Sequence, residues 1–150
     1  MKMPKTTECI LDLKNSWLTI WFNRPEKRNS LSKILLREIS QTLDYIENDP
    51  SIRGVIFRGK GNVFCAGADL EWMQSVASDK NKTHNKALKM SMKFGEFFTK
   101  ISSLSKITIS VVEGSCMAGA VGIASATDFL VSTFDAKYAL TETKIGLTPE

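Results

Sequence analysis

Apolar residues recur with two different periods along this chain of 150 residues, and each period predicts one kind of element. Spacings of three and four residues predict helices over residues 32–47 and 87–104, each with one apolar stripe. Short apolar runs bounded by turn residues predict strands. These strands are expected at residues 8–13, 17–22, 54–57, 107–112, 127–133 and 137–140.

Turn and cap residues set the expected limits of these elements. Residues 14–16 form the turn between the first two strands, and Pro25 interrupts regular structure in a loop at residues 23–29. The second strand is mostly apolar, so we expect both of its faces to be buried. Asp69 is a suitable N-cap for a short helix that follows it. The residues of the longer helix expected in the core include Met90, Phe94 and Phe98.

The composition is that of an ordinary globular protein, with 43% hydrophobic and 24% charged residues. No apolar run approaches the roughly 20 residues of a membrane helix, and the first residues lack the apolar core of a secretory signal. We therefore expect a cytoplasmic protein with no membrane partner. The net charge of +4 comes from scattered basic residues, so no nucleic-acid partner is expected. Three cysteines without a CxxC pair, together with one histidine, leave almost no candidates for a zinc site.

Residues 54–60 match the pattern GxxxxGK, which is most of a phosphate-binding P-loop. Gly61 stands where a P-loop has the serine or threonine that binds magnesium. The residues inside the match, at 55–57, have the composition of a strand. The match is therefore rejected as a nucleotide site.

Two segments of small residues, at 64–70 and 114–122, are better candidates for chemistry. Each follows a strand and precedes a helix in the predicted order, and small side chains let a ligand come close to the backbone. Free N–H groups at a helix start attract a polarised oxygen, and two of them from separate segments can form an oxyanion hole. Close packing of helices against strands explains the same residues equally well.

One carboxylate accompanies these segments. Glu142 directly follows the strand predicted at residues 137–140. A carboxylate at a strand end can be held in a pocket and serve as an acid and a base. Most glutamates are solvated surface residues, so Glu142 alone does not establish a site.

Several motifs, taken in chain order, resemble the enoyl-CoA hydratase/isomerase (crotonase) family. The motifs are NRPEKRNSL at 23–31, GVIFRG at 54–59, FCAGADL at 64–70, the segment at 114–122, Asp128 and TETKIGL at 141–147. Together they span nearly the whole chain. The residues at 69–73, 119–122 and 141–147 are also similar to the methylglutaconyl-CoA-hydratase-like branch of that family.

The resemblance implies an α/β fold, a crotonase-type spiral of repeated ββα units in one domain over residues 1–150, assembled as a homo-trimer or hexamer. It implies an acyl-CoA thioester as the ligand and no metal or redox cofactor, since coenzyme A is part of the substrate. By the same resemblance, the amides of Ala68 and Gly119 are oxyanion-hole donors and Glu142 is the catalytic acid/base. The residues implied in holding coenzyme A are Lys27, Arg28, Ala66, Asp69 and Leu70.

The chain departs from the two-glutamate hydratases of the family at Gly122, where such enzymes carry a second glutamate. With one acid, Glu142 must both activate water and return the proton, or must move a proton along the acyl chain. Because glycine has no side chain, we expect open space at Gly122 and acceptance of branched acyl groups. The family also continues past residues 147–149 with a C-terminal helical part that closes the acyl pocket. We expect this part to be absent from the given chain, which is either a truncated form or a piece of a longer protein.

Three hypotheses for the function follow. The first is hydration of an α,β-unsaturated acyl-CoA thioester, branched chains included, through an enolate held by the Ala68 and Gly119 amides. The second is double-bond isomerisation by the same residues, which conserves the mass of the substrate. The third is a non-catalytic module that only binds acyl-CoA or an oligomeric partner, which Gly122 and the short chain favour.

Overall fold

The computed structural model of the protein describes residues 3–78 and 83–142, and in it strands alternate with helices. Its strands are β1 (Cys9–Lys14), β2 (Trp17–Phe22), β3 (Gly54–Gly59), β4 (Val63–Cys65), β5 (Ile107–Val112), β6 (Ser115–Met117), β7 (Phe129–Ser132) and β8 (Lys137–Ala139). Its helices are α1 (Lys33–Ile46), α2 (Leu70–Ala77), α3 (Thr83–Ser102) and α4 (Gly119–Ala126), with a 3-10 turn at Pro25–Lys27. The element order confirms the expected α/β class.

The strands form two sheets, and the chain passes repeatedly from one sheet to the other. The larger sheet has the order β1-β2-β3-β5-β7, with β1 antiparallel to β2 and the other pairs parallel. The smaller sheet has the order β4-β6-β8 and is entirely parallel. From β3 onward, the first strand of each unit enters the larger sheet and the second enters the smaller sheet. This repetition confirms the expected spiral of ββα units.

The first two strands form a hairpin in the predicted place. Asn15 and Ser16 have φ angles of 51° and 67°, and positive φ at both central residues is the mark of a type I′ turn. Along β2 the burial alternates, with buried residues on one face and half-buried residues on the other. The expectation that both faces are buried was wrong, because the outer face is covered only in part. There, for example, the Arg58 guanidinium lies 4.3 Å from the Trp21 ring centroid.

Helices α1 and α3 supply much of the apolar core. The Ser32 hydroxyl accepts the Leu35 N–H at 3.0 Å and caps α1, which begins one residue after the predicted start of this helix. The α1 stripe is fully buried, at Leu35, Ile39, Leu43 and Ile46. On α3 the buried residues are Phe94, Phe97 and Ile101, whereas Met90 and Phe98 are half-buried. The core prediction for α3 is therefore confirmed for Phe94 and holds only in part for Met90 and Phe98.

Two strands were absent from the sequence prediction. β4 and β6 contain three residues each, which is too short to display a hydrophobic period. The GxxxxGK match forms strand β3 and the turn after it, which confirms its rejection as a phosphate loop. Within residues 3–78 and 83–142, no helix is long and apolar enough to cross a membrane.

Candidate functional site

Three candidate groups follow the three strands of the smaller sheet at one edge. Ala68 comes three residues after β4, Gly119 comes two residues after β6, and Glu142 comes three residues after β8. The strands are parallel neighbours with β6 in the middle. The carboxyl ends of parallel strands meet at the same edge of a sheet, where such folds usually place their sites. The topology therefore brings together three groups that are far apart in the sequence.

The Ala68 amide is not used by the surrounding backbone. The Leu31 N–H donates to the Gly67 carbonyl at 2.8 Å, and the Asp69 N–H donates to the Leu31 carbonyl at 3.1 Å. In this parallel bridge, Leu31 bonds the residues on either side of Ala68, so the N–H of Ala68 points to the opposite side. Across the described residues it donates to no other backbone group. A half-buried amide without an internal acceptor is available to a ligand oxygen.

The Gly119 amide is the first of α4, so it has no acceptor within its own helix. The residue before it, Ala118, has φ 52° and ψ −129°, a backbone conformation that L-residues rarely adopt. Such strain costs about 1–3 kcal/mol and persists where the surroundings enforce it, most often at functional sites. Here the Ala118 N–H donates to the Ala139 carbonyl at 2.8 Å, which joins this turn to β8.

The two amide-bearing segments lie against each other at Gly67. Gly67 has φ +92°, and an ideal Cβ on it would lie 3.4 Å from the Gly119 nitrogen. The same Cβ would lie 2.7 Å from the Ala118 Cβ and 2.9 Å from the Met117 carbonyl oxygen. Only glycine fits both the conformation and the space. The close packing expected of the small-residue segments is therefore observed at Gly67, and their role in an oxyanion hole stays a prediction.

A buried ion pair between Arg24 and Asp69 fixes the Ala68 segment to the loop at residues 23–29. The Arg24 guanidinium lies 2.9 Å from the Asp69 carboxylate, and their side chains are 11% and 7% exposed. The other Asp69 oxygen accepts the Trp72 N–H at 3.1 Å and so caps α2 as predicted. Burial alone would raise the pKa of Asp69, but hydrogen bonds from Arg24 and from the Trp72 N–H outweigh it and lower this pKa. The Asp69 side chain is thus engaged within the protein.

The other residues predicted to hold coenzyme A form one surface beside Ala68. Lys27 and Arg28 are exposed, and Leu70 is 66% exposed. The Lys27 ammonium lies 2.7 Å from the Glu71 carboxylate, whose hydrogen bond and charge raise the pKa of Lys27. The Arg28 carbonyl accepts the Ala66 N–H at 3.0 Å, so the basic loop is bonded directly to the Ala68 segment. The role of these residues in binding remains a prediction.

Sequence reasoning missed the residues that fix this loop. Asn29 is fully buried, and its side-chain oxygen Oδ1 accepts the backbone N–H of Arg24 at 2.9 Å. Its amide group donates to the carbonyls of Lys60 at 2.9 Å and Val63 at 2.8 Å. Arg24 also donates to the Ser30 carbonyl at 2.6 Å. A polar loop residue carries no sign in the sequence that it is buried, so only the structure could show these roles.

Glu142 carries an unusual carboxylate oxygen. The residue is half-buried, and its Oε2 atom is buried without a hydrogen-bond partner among the residues that the structure describes. Leaving a buried acceptor without a partner costs about 1–3 kcal/mol or more, so such atoms in folded proteins call for an explanation such as catalysis. The rest of the predicted motif, residues 143–147, lies outside the described residues.

Two cysteines lie in the same sheet but are not candidate nucleophiles. Cys65 and Cys116 are aligned across β4 and β6, and both are buried. Burial raises the pKa of each thiol to about 12. Because the thiolate is the reactive form, these thiols are inert near neutral pH.

The open space expected at Gly122 is absent. An ideal Cβ on Gly122 would lie 2.5, 2.7 and 2.9 Å from three ring atoms of Phe98. The expectation was wrong because the ring of a neighbouring helix occupies the position that a side chain at residue 122 would take. Glycine at this position permits the close approach of α3 to α4.

Known proteins are similar to this chain in both sequence and fold. The family model described as enoyl-CoA hydratase/isomerase matches residues 12–150. The "Enoyl-CoA hydratase EchA19" of Mycobacterium tuberculosis is 33% identical over 95% of this chain and 52% of its own length. The mitochondrial "Delta(3,5)-Delta(2,4)-dienoyl-CoA isomerase" of Mus musculus is 31% identical over 89% of this chain and 42% of its own length.

The comparison of folds also finds enoyl-CoA hydratase/isomerase structures. The crystal structure of an enoyl-CoA hydratase/isomerase from Marinobacter aquaeolei superposes with a TM-score of 0.88 at 34% identity. The superposition covers 95% of this chain and 55% of that structure. The chain therefore spans about half the length of the relatives that it matches.

Proposed function

This chain belongs to the enoyl-CoA hydratase/isomerase family, and we propose that its protein adds water across the double bond of an α,β-unsaturated acyl-CoA thioester. The observation that carries the proposal is the edge of the smaller sheet. Among residues 3–78 and 83–142, two amides without internal acceptors and a buried carboxylate oxygen without a hydrogen-bond partner follow its three parallel strands.

In the proposed reaction, Glu142 removes a proton from water while the water oxygen bonds to the β-carbon of the thioester. The electrons of the double bond move toward the thioester oxygen, and the N–H groups of Ala68 and Gly119 hold the resulting enolate. Glu142 then returns the proton to the α-carbon, which gives a 3-hydroxyacyl-CoA. Preorganised amides stabilise charge that develops only in the transition state, so the proposal includes no metal or redox cofactor.

The basic loop supports the choice of a coenzyme A ester. Lys27 and Arg28 are exposed next to the Ala68 segment, where they would meet the phosphates of the coenzyme. In this proposal, the backbone at Ala66 and Asp69 and the exposed side chain of Leu70 would contact other parts of the coenzyme. The proposal also includes assembly as a homo-trimer or hexamer, testable by sedimentation, and a cytoplasmic location, testable by cell fractionation.

Double-bond isomerisation is the second candidate. It is favoured by the similarity to a protein named as a dienoyl-CoA isomerase, and by Gly122, which supplies no second carboxylate. One acid/base is sufficient to move a proton from one carbon atom to another. The same three groups would act, with the enolate as the common intermediate.

The test uses the full natural protein that carries this sequence, with 2-enoyl-CoA and 3-enoyl-CoA esters as substrates. Mass spectrometry distinguishes hydration, which adds one water, from isomerisation, which conserves mass. We expect Glu142→Gln to lower kcat by about 10²–10⁴, the usual loss of general acid–base catalysis, with the Kd of the ester nearly unchanged. Glu96→Gln, which alters an exposed carboxylate on α3, is the matched control and should keep the wild-type rate.

A second variant tests the amide. Ala68→Pro removes one N–H and should lower kcat by about 10²–10³, provided that circular dichroism shows a folded protein. Wild-type kcat in Glu142→Gln would refute the mechanism. A protein that binds the esters but turns over none of them would be the non-catalytic module instead.

A further inference from the structure

The rings of α3 cover one face of α4, starting at the Gly119 amide. Ring atoms of Phe94 lie 3.6 and 3.9 Å from an ideal Cβ on Gly119, and those of Phe98 lie 2.5–2.9 Å from one on Gly122. The two glycines are three residues apart and the two phenylalanines are four apart, so each pair shares one helix face. The rings of Phe94 and Phe98 are 6.0 Å apart and form a continuous wall.

The two rings differ in their access to solvent. Phe94 is 4% exposed and stacks on Trp72 at 5.5 Å, so it belongs to the core. Phe98 is half-buried, as are Gly119 and Gly122 beside it. Behind Phe98 lies Phe97, which is 2% exposed, at a ring distance of 6.0 Å. Phe98 is therefore supported by the core and is the ring of this wall that a ligand can touch.

We propose that Phe98 determines the size and branching of the acyl group that the site accepts. The inference rests on the proposed function, because the thioester oxygen is placed by the Gly119 amide. One helical turn is about 5.4 Å, which puts the Phe98 ring within reach of the first few carbons beyond that oxygen. A rigid aromatic ring at that distance limits both the width and the direction of an acyl chain.

In this proposal, the absence of a side chain at Gly122 fixes the position of the Phe98 ring. Any side chain at residue 122 would lie within 3 Å of the ring, so the ring would have to move. Phe94 and Phe97 flank the ring on its own helix and limit where it can go. A methyl group at residue 122 should therefore change the position of the wall, and this effect should disappear when the ring is absent.

The experiment compares kcat/KM for crotonyl-CoA with kcat/KM for a branched and for an eight-carbon 2-enoyl-CoA. In Phe98→Ala, we expect the ratio of the larger esters to crotonyl-CoA to rise at least tenfold, since one methylene in a pocket already changes selectivity by about 10–200-fold. Phe98→Leu should raise it in the same direction and retains apolar bulk if the alanine variant does not fold. Thr99→Ala changes the exposed residue next to Phe98 on the same helix, and this control should leave the ratio unchanged.

A double-mutant cycle tests the pair independently of acyl length. Gly122→Ala should lower the thermal midpoint of the wild type and should have little effect in the Phe98→Ala background. An unchanged ester ratio in both Phe98 variants, with normal turnover of crotonyl-CoA, would overturn this inference and leave the proposed function intact. Failure of the wild type to bind or convert any ester would overturn the proposed function and this inference with it.

Discussion

Arg24→Met removes the charge that pairs with Asp69 and keeps an unbranched, apolar side chain in its place. In the wild type the two groups are 2.9 Å apart, with side chains 11% and 7% exposed. Arg24 also lies 3.4 Å from the Glu8 carboxylate, so the variant leaves two acids without their guanidinium. Asp69 keeps its hydrogen bonds from the Trp72 N–H at 3.1 Å and from the Ser30 hydroxyl at 3.2 Å.

Removal of one partner from a buried ion pair costs about 3–5 kcal/mol, because the remaining charge is buried without compensation. We expect the lower end of that range, about 3 kcal/mol, since Asp69 retains two donors. For a chain of this size, each kcal/mol lowers the melting temperature by about 2–4 °C. The expected decrease in melting temperature is therefore about 6–12 °C.

The loss should depend on pH in a definite direction. In the wild type, hydrogen bonds from Arg24 and Trp72 overcome the effect of burial and hold the pKa of Asp69 below its usual value of about 3.9. A lowered folded-state pKa adds stability above about pH 4, and that stability is lost as the pH falls through the folded-state pKa. Arg24→Met removes one cause of the lowered pKa. The difference in unfolding free energy between wild type and variant should therefore be largest near pH 7 and should shrink below about pH 4.

Urea unfolding followed by circular dichroism, from pH 3.5 to pH 7, measures this difference. Lys27→Met is the matched control, because Lys27 joins the same loop to the same helix through Glu71 at 2.7 Å, with side chains 48% and 75% exposed. An exposed pair contributes little, so the control should keep the wild-type urea midpoint at every pH. Equal losses in both variants, or a loss in Arg24→Met that does not change with pH, would refute the reasoning.

Three other substitutions test the packing of the chain, two of them beside the candidate site and the third at Glu38 on α1. Gly67→Ala must place a Cβ 2.7 Å from that of Ala118 at φ +92°, so thermal melts should show a loss of about 2–5 kcal/mol, and a fully stable variant would contradict the packing argument. Ala118→Gly relieves a φ of 52° and should raise stability by about 1 kcal/mol in the same assay, whereas a decrease would show that the strain is absent. Glu38→Gln weakens four hydrogen bonds from residues 7–9, which outweigh burial and lower the pKa of Glu38. It should cost about 2 kcal/mol at pH 7 and less below about pH 4, and a loss constant with pH would argue against this.

The elements with a clear hydrophobic period could be predicted from the sequence. Helix α1 begins and ends within one residue of the limits predicted at 32 and 47, and its apolar stripe is buried. β4 and β6 escaped prediction because three residues show no period, yet these strands position Ala68 and Gly119. The small-residue segments could be identified from their motifs. The sheet that aligns them could not be predicted, because strand pairing joins residues that are far apart in the sequence.

The errors at the site have a common physical cause, which is a partner distant in sequence. Gly122 was expected to leave space, but Phe98 of another helix fills it. Arg24 was passed over as a loop residue, although its partner Asp69 lies 45 residues later. Asn29 bonds carbonyls 31 and 34 residues away. A single sequence reports the chemistry of a side chain but not the neighbours that satisfy it or fill its space.

Two of the three proposed catalytic groups are backbone amides, whose positions depend on the path of the chain and not on their own side chains. That path is fixed by Gly67 at φ +92°, by Ala118 at φ 52° and by the buried pair of Arg24 and Asp69. None of these side chains needs to touch a substrate to influence the rate. Because a displaced donor weakens an oxyanion hole steeply, substitutions at these positions should lower kcat more than they raise KM. The stability of this small region and the proposed catalysis therefore depend on the same residues.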